Sequence, residues 1–266
     1  MASQALASAS SASYRIVAER RHGSEWLTGS HSVGEALRAR RRRLDELWLR
    51  ADGGPAHPHL EAVAGTAGVP ILKRSVEQLR LAGVEDARAA LRCGPYPYLD
   101  EATLPGADED QFVVVLDQVQ DPQNLGAICR TAEAAGVTAL CLPLRRASPV
   151  TPAVVRASAG ATEHLRIHRV GNLNRLLETL KKLGYWVVGL EPTSSQSWHE
   201  VDLSVPVALV AGAEGRGLRR LVAERCDLRV HLPMAGRVAS LNVNAAFAAV
   251  AYEVVRQRSR RLAKGG

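Results

Sequence analysis

Phe112–Leu142 reads FVVVLDQVQDPQNLGAICRTAEAAGVTALCL. Its first five residues, Phe112 to Leu116, are apolar without the alternation of a half-solvated strand, so they predict a strand covered on both faces. Pro122 and the polar residues as far as Asn124 end that strand, and a helix carrying Arg130 follows. A second apolar run, Val137 to Leu142, comes next. Strand, helix and strand in this order join parallel strands and predict an α/β fold. Outward from this unit, apolar runs at Leu165–Val170, Trp186–Leu190, Val205–Val210 and Leu228–Leu232 extend the sheet, with helical stretches between most of them. The last predicted helix, Asn242 to Arg261, is apolar at its start and arginine-rich at its end, which suits the helix dipole.

Upstream, Trp26 to Tyr98 alternates helical and strand patterns: a helix over Ser32–Arg40, a strand over Leu44–Leu49, and a Gly/Pro/His loop at Asp52–Pro58 that leads into a helix ending near Ala64. A strand at Val69–Leu72 and a short helix from Ser75 complete it. From Cys93 to Asp110 the chain, CGPYPYLDEATLPGADED, loses periodicity and collects Pro, Gly and acids, as a linker does. The predicted organisation is a disordered leader over residues 1–24, a small α/β unit over 25–98, a linker over 99–110 and a larger α/β domain over 111–266.

With 46% hydrophobic and 23% charged residues the 266-residue chain has the composition of a folded protein. No run of about 18 apolar residues occurs, so no membrane span is predicted. The formal charge of +7 points to an anionic partner, nucleic acid first. Residues 1–106 hold 14 basic and 12 acidic residues, net +2, which leaves 34 − 14 = 20 basic and 27 − 12 = 15 acidic residues, net +5, for the rest. Candidate phosphate contacts are the run Arg40, Arg41, Arg42 and Arg43, and the group Arg216, Arg219 and Arg220. Cys93, Cys129, Cys141 and Cys226 form no CxxC pair, so neither a zinc site nor a disulfide framework is predicted, and no metal is expected. Met1–Ser13 is rich in Ala and Ser, lacks acids and is followed by Arg15, Arg20 and Arg21. That pattern resembles an organelle transit peptide, but the arginine-heavy, lysine-poor body favours a bacterial leader and a cytoplasmic protein.

Three segments lie where ligands bind in an open α/β sheet, at the carboxyl ends of strands. The first is Asp117–Gly136. Asn124 and Arg130 are six residues apart, about 240° net around a helix, so they share a face only if Asn124 is still in the loop. Asn124 is therefore expected at the helix cap. The second, VALVAGAEGRGLRR over Val207–Arg220, places glycines at 212, 215 and 217 around Glu214. Its GxxGxG spacing is not the GxGxxG of a dinucleotide-binding turn. The third, Leu228–Val255, runs from a strand into Pro233, a loop with Gly236 and Arg237, and then Ser240 or Asn242 at a helix N-cap position. Taken singly, each has a plain structural explanation: a solvated arginine, a turn of positive φ, a cap.

Together, N-L-G-A-x-x-R-T-A, then G-A-E-G-x-G-L, then L-P-M-A-G-x-V-x-S-L-N-V resemble the motifs of the SpoU (TrmH-like) ribose 2′-O-methyltransferases of the SPOUT superfamily. The similarity spans about Phe112 to Arg258. Trp26–Tyr98, opening with LTGSHSVGEALRAR, is similar to the RNA-binding domain of the subgroup that methylates a guanosine ribose in large-subunit ribosomal RNA. The resemblance implies a mostly parallel sheet with flanking helices, threaded as a trefoil knot, a homodimer, and S-adenosyl-L-methionine as cofactor. It assigns Gly212, Leu232 and Leu241, with Met234 and Gly236 in the same loop, to the cofactor. Asn124, Arg130, Glu214, Ser240 and Asn242 match the polar set around the transferred methyl and the RNA, Asn124 and Glu214 orienting Arg130. Two positions depart from the pattern. Asn244 stands where the motif continues with serine, and Asp86–Ala90 replaces a His-Gln-Gly triplet.

The family proposal makes the matching arginine a general base, yet a guanidinium ordinarily keeps its proton in protein. Hydrogen bonding to a developing alkoxide and the adjacent phosphate is the alternative role. The same chemistry on transfer RNA or another ribosomal site, and a non-catalytic RNA-binding or assembly protein, are the alternatives to the ribosomal reading. A nicotinamide-dependent oxidoreductase would lack its glycine spacing.

Overall fold

The computed structural model describes residues 23–84, 87–108, 111–213, 215, 217–237 and 240–265, so Glu214, Arg216, Asp86 and nearly all of the predicted leader lie outside the described residues. Two sheets form. The first contains β1 (Glu25–Thr28), β2 (Leu44–Arg50), β3 (Ile71–Arg74) and β4 (Ala89–Cys93) in the order β1-β4-β2-β3; β2 and β3 are parallel and the other neighbours antiparallel. Helices α1 (Ser30–Ala39), α2 (His57–Ala67) and α3 (Val76–Leu81) connect or flank them. α1 buries Val33, Ala36 and Leu37 on the stripe that meets Leu60 and Ala64 of α2. Ser75 starts α3 through a capping box with Gln78. β1 and β4 were absent from the pattern reading.

The second sheet is parallel throughout and has seven strands: β5 (Leu99–Asp100), β6 (Phe112–Leu116), β7 (Ala139–Pro143), β8 (Ile167–Val170), β9 (Trp186–Leu190), β10 (Val207–Ala211) and β11 (Leu228–Val230), in the order β11-β9-β10-β6-β7-β8-β5. The runs Phe112–Leu116 and Trp186–Leu190 are strands to the residue. Leu99 and Asp100 correct the reading of 99–110 as linker only: they pair with His168 and Arg169 as the edge strand. Helices α4 (Pro122–Ala134), α5 (Pro152–Ala157), α6 (Leu173–Lys182), α7 (Arg220–Ala223) and α8 (Val243–Gly265) cover the faces.

The continuous apolar runs follow from that cover. Phe112, Val114 and Leu116 point to the side where Leu125 and Ile128 of α4 and Phe247 and Val250 of α8 pack. Val113 and Val115 point to the other, against Leu173, Leu176 and Leu177 of α6 and Val222 of α7. α4 and α5 touch so closely that a Cβ on Gly126 would stand 2.4 Å from that of Ala157.

One core runs through both sheets, from Leu27 and Leu47 to Phe112 and Leu140. Polar contacts seal the junction. Tyr96 donates its hydroxyl to the carbonyls of Thr162 and Leu165 at 2.8 and 2.9 Å, and Ser32 donates to Val155 O at 3.3 Å. Arg42, which the sequence reading assigned to RNA, is turned inward. Its Nε and Nη2 grip Glu163 at 3.1 and 2.7 Å, with both side chains fully buried.

At the opposite edge, the loop after β9 is fastened to the chain leaving β11. Glu191 N donates to Val230 O, His231 N to Gln196 O and Trp198 N to His231 O, at 3.0 to 3.1 Å. From there the chain doubles back to α8, on the α4 side. The trefoil crossing implied by the resemblance would lie in this return.

Candidate active site

The site is assembled at the carboxyl end of the parallel strands. After β10 the chain turns sharply: Gly217 N donates to Ala213 O at 3.1 Å, and a Cβ on Gly212 would stand 2.1 Å from Gly217 O. Gly217, at φ +63°, also has Glu191 Oε1 3.1 Å from where its Cβ would be. The glycines thus let the loop close on itself and on the end of β9. The close approach at Gly212 is made by backbone.

This turn, the end of β9 and the segment between β11 and α8 enclose a cleft of about 710 Å³, open to solvent. Gly212, Leu232, Met234 and Leu241, all expected at the cofactor, line it, as does Ser240. Gly236 does not, and lies exposed in the same loop. Leu190, Glu191, Pro192 and His231 were missed. Leu190, Glu191 and Pro192 come from β9 and its exit, which carries no glycine motif, and only the adjacency of β9 to β10 and β11 brings them here; His231 leaves β11 directly before Leu232. Among the described lining residues Glu191 is the one carboxylate, and no lysine or arginine is present.

Beside the cleft, α4 begins differently from the expectation. Asp121, not Asn124, is the cap: its carboxylate accepts from Gln123 N at 3.2 Å and Asn124 N at 3.1 Å, with Pro122 in the first turn. Asn124 is therefore inside the helix, and Arg130 is on another face. Asn124 Oδ1 accepts from Asn242 Nδ2 at 2.8 Å instead of contacting Arg130. Asn242 is the residue that caps α8, its Oδ1 accepting from Asn244 N at 2.9 Å. Asn244 Oδ1 in turn accepts from Thr131 Oγ1 at 3.2 Å, joining α8 to α4. Arg130 is exposed and makes no hydrogen bond or ion pair with another described residue.

The other arginines divide. Arg41 donates to Leu165 O, and Arg42 is sealed in the core, where burial works against its charge but Glu163, with Cys93 and Glu25, more than offsets that and holds its pKa above the ordinary arginine value. Arg40 is exposed and donates to Thr66 O, and Arg43 is exposed and pairs with Asp45 at 2.7 Å. Arg219 is held through N and Nε by buried Asp117, at 3.0 and 2.8 Å, while Arg220 pairs with Glu224 on the surface. Burial raises the thiol of Cys93 to about 11 and that of Cys129 to about 12, so neither supplies a thiolate nucleophile.

A parallel α/β sheet with a glycine-walled apolar cleft at its carboxyl edge, flanked by paired asparagines and an arginine with no partner among the described residues, defines a ligand-binding site. Residues 111–252 match the SpoU rRNA Methylase family, and the chain belongs to it. It is 37% identical over 243 residues to the 23S rRNA (guanosine-2′-O-)-methyltransferase RlmB of Pseudomonas putida, covering 88% of this chain and 97% of that one. The SpoU methyltransferase AviRb from Streptomyces viridochromogenes, solved in complex with the cofactor AdoMet, superposes with a TM-score of 0.77 at 26% identity over 90% of this chain and 92% of AviRb. A TrmH/SpoU tRNA modifying enzyme of A. aeolicus aligns over 59% of this chain and 79% of its own, with a TM-score of 0.53 and 28% identity.

Proposed function

We propose that this chain transfers a methyl group from S-adenosylmethionine to a ribose 2′-hydroxyl of RNA, and that its acceptor is a guanosine in large-subunit ribosomal RNA. The observation that carries the reading is the cleft, in which Gly212, Leu232, Met234, Ser240 and Leu241 meet from separate parts of the matched region. Its chemistry suits the cofactor. Apolar side chains offer a bed for an adenine ring, turns offer backbone polar groups, and a carboxylate with no lysine or arginine among the described lining residues accommodates a cationic sulfonium. The RlmB relative shares nearly the full chain, including the first sheet, whereas the tRNA modifying enzyme aligns with little more than half of it. That contrast supports the ribosomal acceptor and, with it, a cytoplasmic place of action.

When bound, the cofactor supplies an electrophilic methyl group. The chain's task is then to hold donor and hydroxyl in line and to stabilise the oxygen as it loses its proton. Leu232, Met234 and Leu241 hold the donor against the Gly212 turn. Asn124 and Asn242 act as positioning residues, fixing the start of α8 where Ser240 meets the cleft. Arg130 donates hydrogen bonds to the developing alkoxide and the neighbouring phosphate; its exposed, unpartnered guanidinium supports that role over proton abstraction. The working form is a homodimer, in keeping with the family resemblance and with the exposed Tyr252 and Leu262 on α8.

Mapping ribose methylation over ribosomal RNA from cells with and without the gene tests the assignment. One large-subunit guanosine should lose its methyl group; a loss confined to transfer RNA would move the acceptor there. With purified protein, Arg130→Ala should abolish methyl transfer while calorimetry still shows cofactor binding, and near-normal turnover by that variant would overturn its role.

A further inference from the structure

A second cleft, of about 1110 Å³ including its open mouth, opens on the carboxyl edge of the sheet where β7 and β8 end. Arg145 and Arg146 from the β7 exit line it, with Asn172 and Asn174 at the start of α6 and Arg219 from the end of the glycine turn. Arg145 and Arg146 are exposed, and neither makes a hydrogen bond or ion pair with another described residue. Asp117 holds Arg219 by its backbone N and Nε and leaves its terminal nitrogens without a partner among the described residues. Behind the wall, Arg169 donates to Leu144 O at 3.0 Å and stacks on Tyr98, its guanidinium 5.2 Å from the ring centroid. Among the described residues no carboxylate lines the cleft, and its three arginines face one neutralising contact, Asp117.

Three unneutralised or half-neutralised guanidinium groups in a concavity repel one another unless an anion lies between them. Their planar donor forks match phosphate oxygens. The ten-residue α6 begins in the same cleft, with its amide end toward it. The segment from Gly212 to Arg219 is the wall common to both clefts: Gly212, Gly215 and Gly217 face the cofactor cleft and Arg219 faces the basic one.

We infer that this basic cleft binds backbone phosphates of the RNA flanking the nucleotide presented to the cofactor cleft, with Arg145, Arg146 and Arg219 as the contacts. The inference rests on the RNA acceptor proposed above. It separates these residues from the arginine run at 40–43, whose buried member cannot reach a phosphate.

The test compares the wild type with R145Q/R146Q, and with R225Q/R229Q, which removes the same charge from elsewhere on the surface. A fluorescein-labelled hairpin transcribed from large-subunit ribosomal RNA is titrated by anisotropy between about 50 and 200 mM salt, and cofactor binding is measured by calorimetry. Each lost phosphate contact should lower the slope of log K against log salt by about 0.7 to 0.9. R145Q/R146Q should therefore lose about 1.5 from the slope and bind roughly tenfold more weakly at about 100 mM salt. Its cofactor affinity should be unchanged, showing that it folds, and R225Q/R229Q should keep the wild-type slope. A wild-type slope for R145Q/R146Q, or an equal fall in R225Q/R229Q, overturns the inference while leaving the methyltransferase reading intact. Calorimetric binding of inorganic phosphate that R145Q/R146Q loses while its hairpin affinity stays at the wild-type value would make this a site for free phosphate, and overturns the RNA assignment. A wild type that binds neither hairpin nor cofactor refutes the proposed function together with the inference.

Discussion

Breaking the Arg42–Glu163 pair should cost more than breaking any other ion pair among the described residues. Surface pairs contribute about 0–1 kcal/mol, because water already solvates both partners. Here both side chains are fully buried and bonded twice, and Arg42 is the only hydrogen-bonding partner of the Glu163 carboxylate among the described residues. In Arg42→Met the carboxylate is left buried with neither bond, for which about 3–5 kcal/mol of lost stability is expected. Glu163→Gln removes the charge but keeps the shape and leaves Arg42 bonded to Glu25 at 3.4 Å and Gly94 O at 3.3 Å, so about 1–3 kcal/mol is expected. Replacing both, R42M/E163L, should be milder than Arg42→Met alone, since no orphan charge remains. Urea unfolding followed by tryptophan fluorescence reads all three variants. Trp26 and Trp48 report on the first sheet and Trp186 and Trp198 on the second region, so single-tryptophan versions show whether the first sheet now melts separately. A cost below about 1 kcal/mol for Arg42→Met, or strict additivity in the double variant, would refute the argument.

Three further outcomes follow from local geometry. Gly212→Ala would force its Cβ to within 2.1 Å of Gly217 O, so the turn must open; cofactor affinity by calorimetry should fall at least about tenfold, and an unchanged Kd would show that the turn does not shape the cleft. His168 is buried in β8 with Nδ1 bonded to Asp100 O at 2.9 Å, and desolvation holds its pKa below the ordinary value, with Arg166 and Arg41 adding to the effect and the Asp100 bond opposing it. The unfolded chain then binds the extra proton first, so stability falls as pH drops below about 6.5 toward the depressed native value. His168→Asn should flatten the urea midpoint between about pH 7.5 and 5; a slope equal to the wild type would rule the residue out. Asn242→Ala removes both the α8 cap and the partner of Asn124, and thermal melts should show about 1–2 kcal/mol lost, against no change if water replaces both bonds.

The sheet was legible because burial on both faces leaves a mark on each strand separately: FVVVL and WVVGL need no partner to be recognised. β4 was not, since AALRC is made of helix formers and becomes a strand only by pairing with β1 and β2. The cofactor-cleft residues were readable where a motif carried them, and Glu191 was not, because its place depends on which strands are neighbours. The cap of α4 was misplaced although the signal was present: Asp121-Pro122 is an N-cap followed by a proline in the first turn. Nothing local could have sorted Arg40 to Arg43, since the inward turn of Arg42 is decided by a carboxylate 121 residues away.

The asparagine at 244 gains a physical meaning from the same geometry. Asn124 and Thr131 are seven residues apart, about 20° short of two full turns, so they lie on one face of α4. Each is tied to the start of α8, Asn124 by Asn242 at 2.8 Å and Thr131 by Asn244 at 3.2 Å. Two ties almost in line along a helix fix its rotation about its own axis as well as its distance from its neighbour. Arg130, next to Thr131, is about 100° around from that face and is thereby aimed away from α8 into solvent. In the role proposed for it, Arg130 meets RNA only on binding, and a partner of its own would compete for its donors. Here the helix is held instead, and the departure from serine at 244 supplies a side chain long enough to hold it.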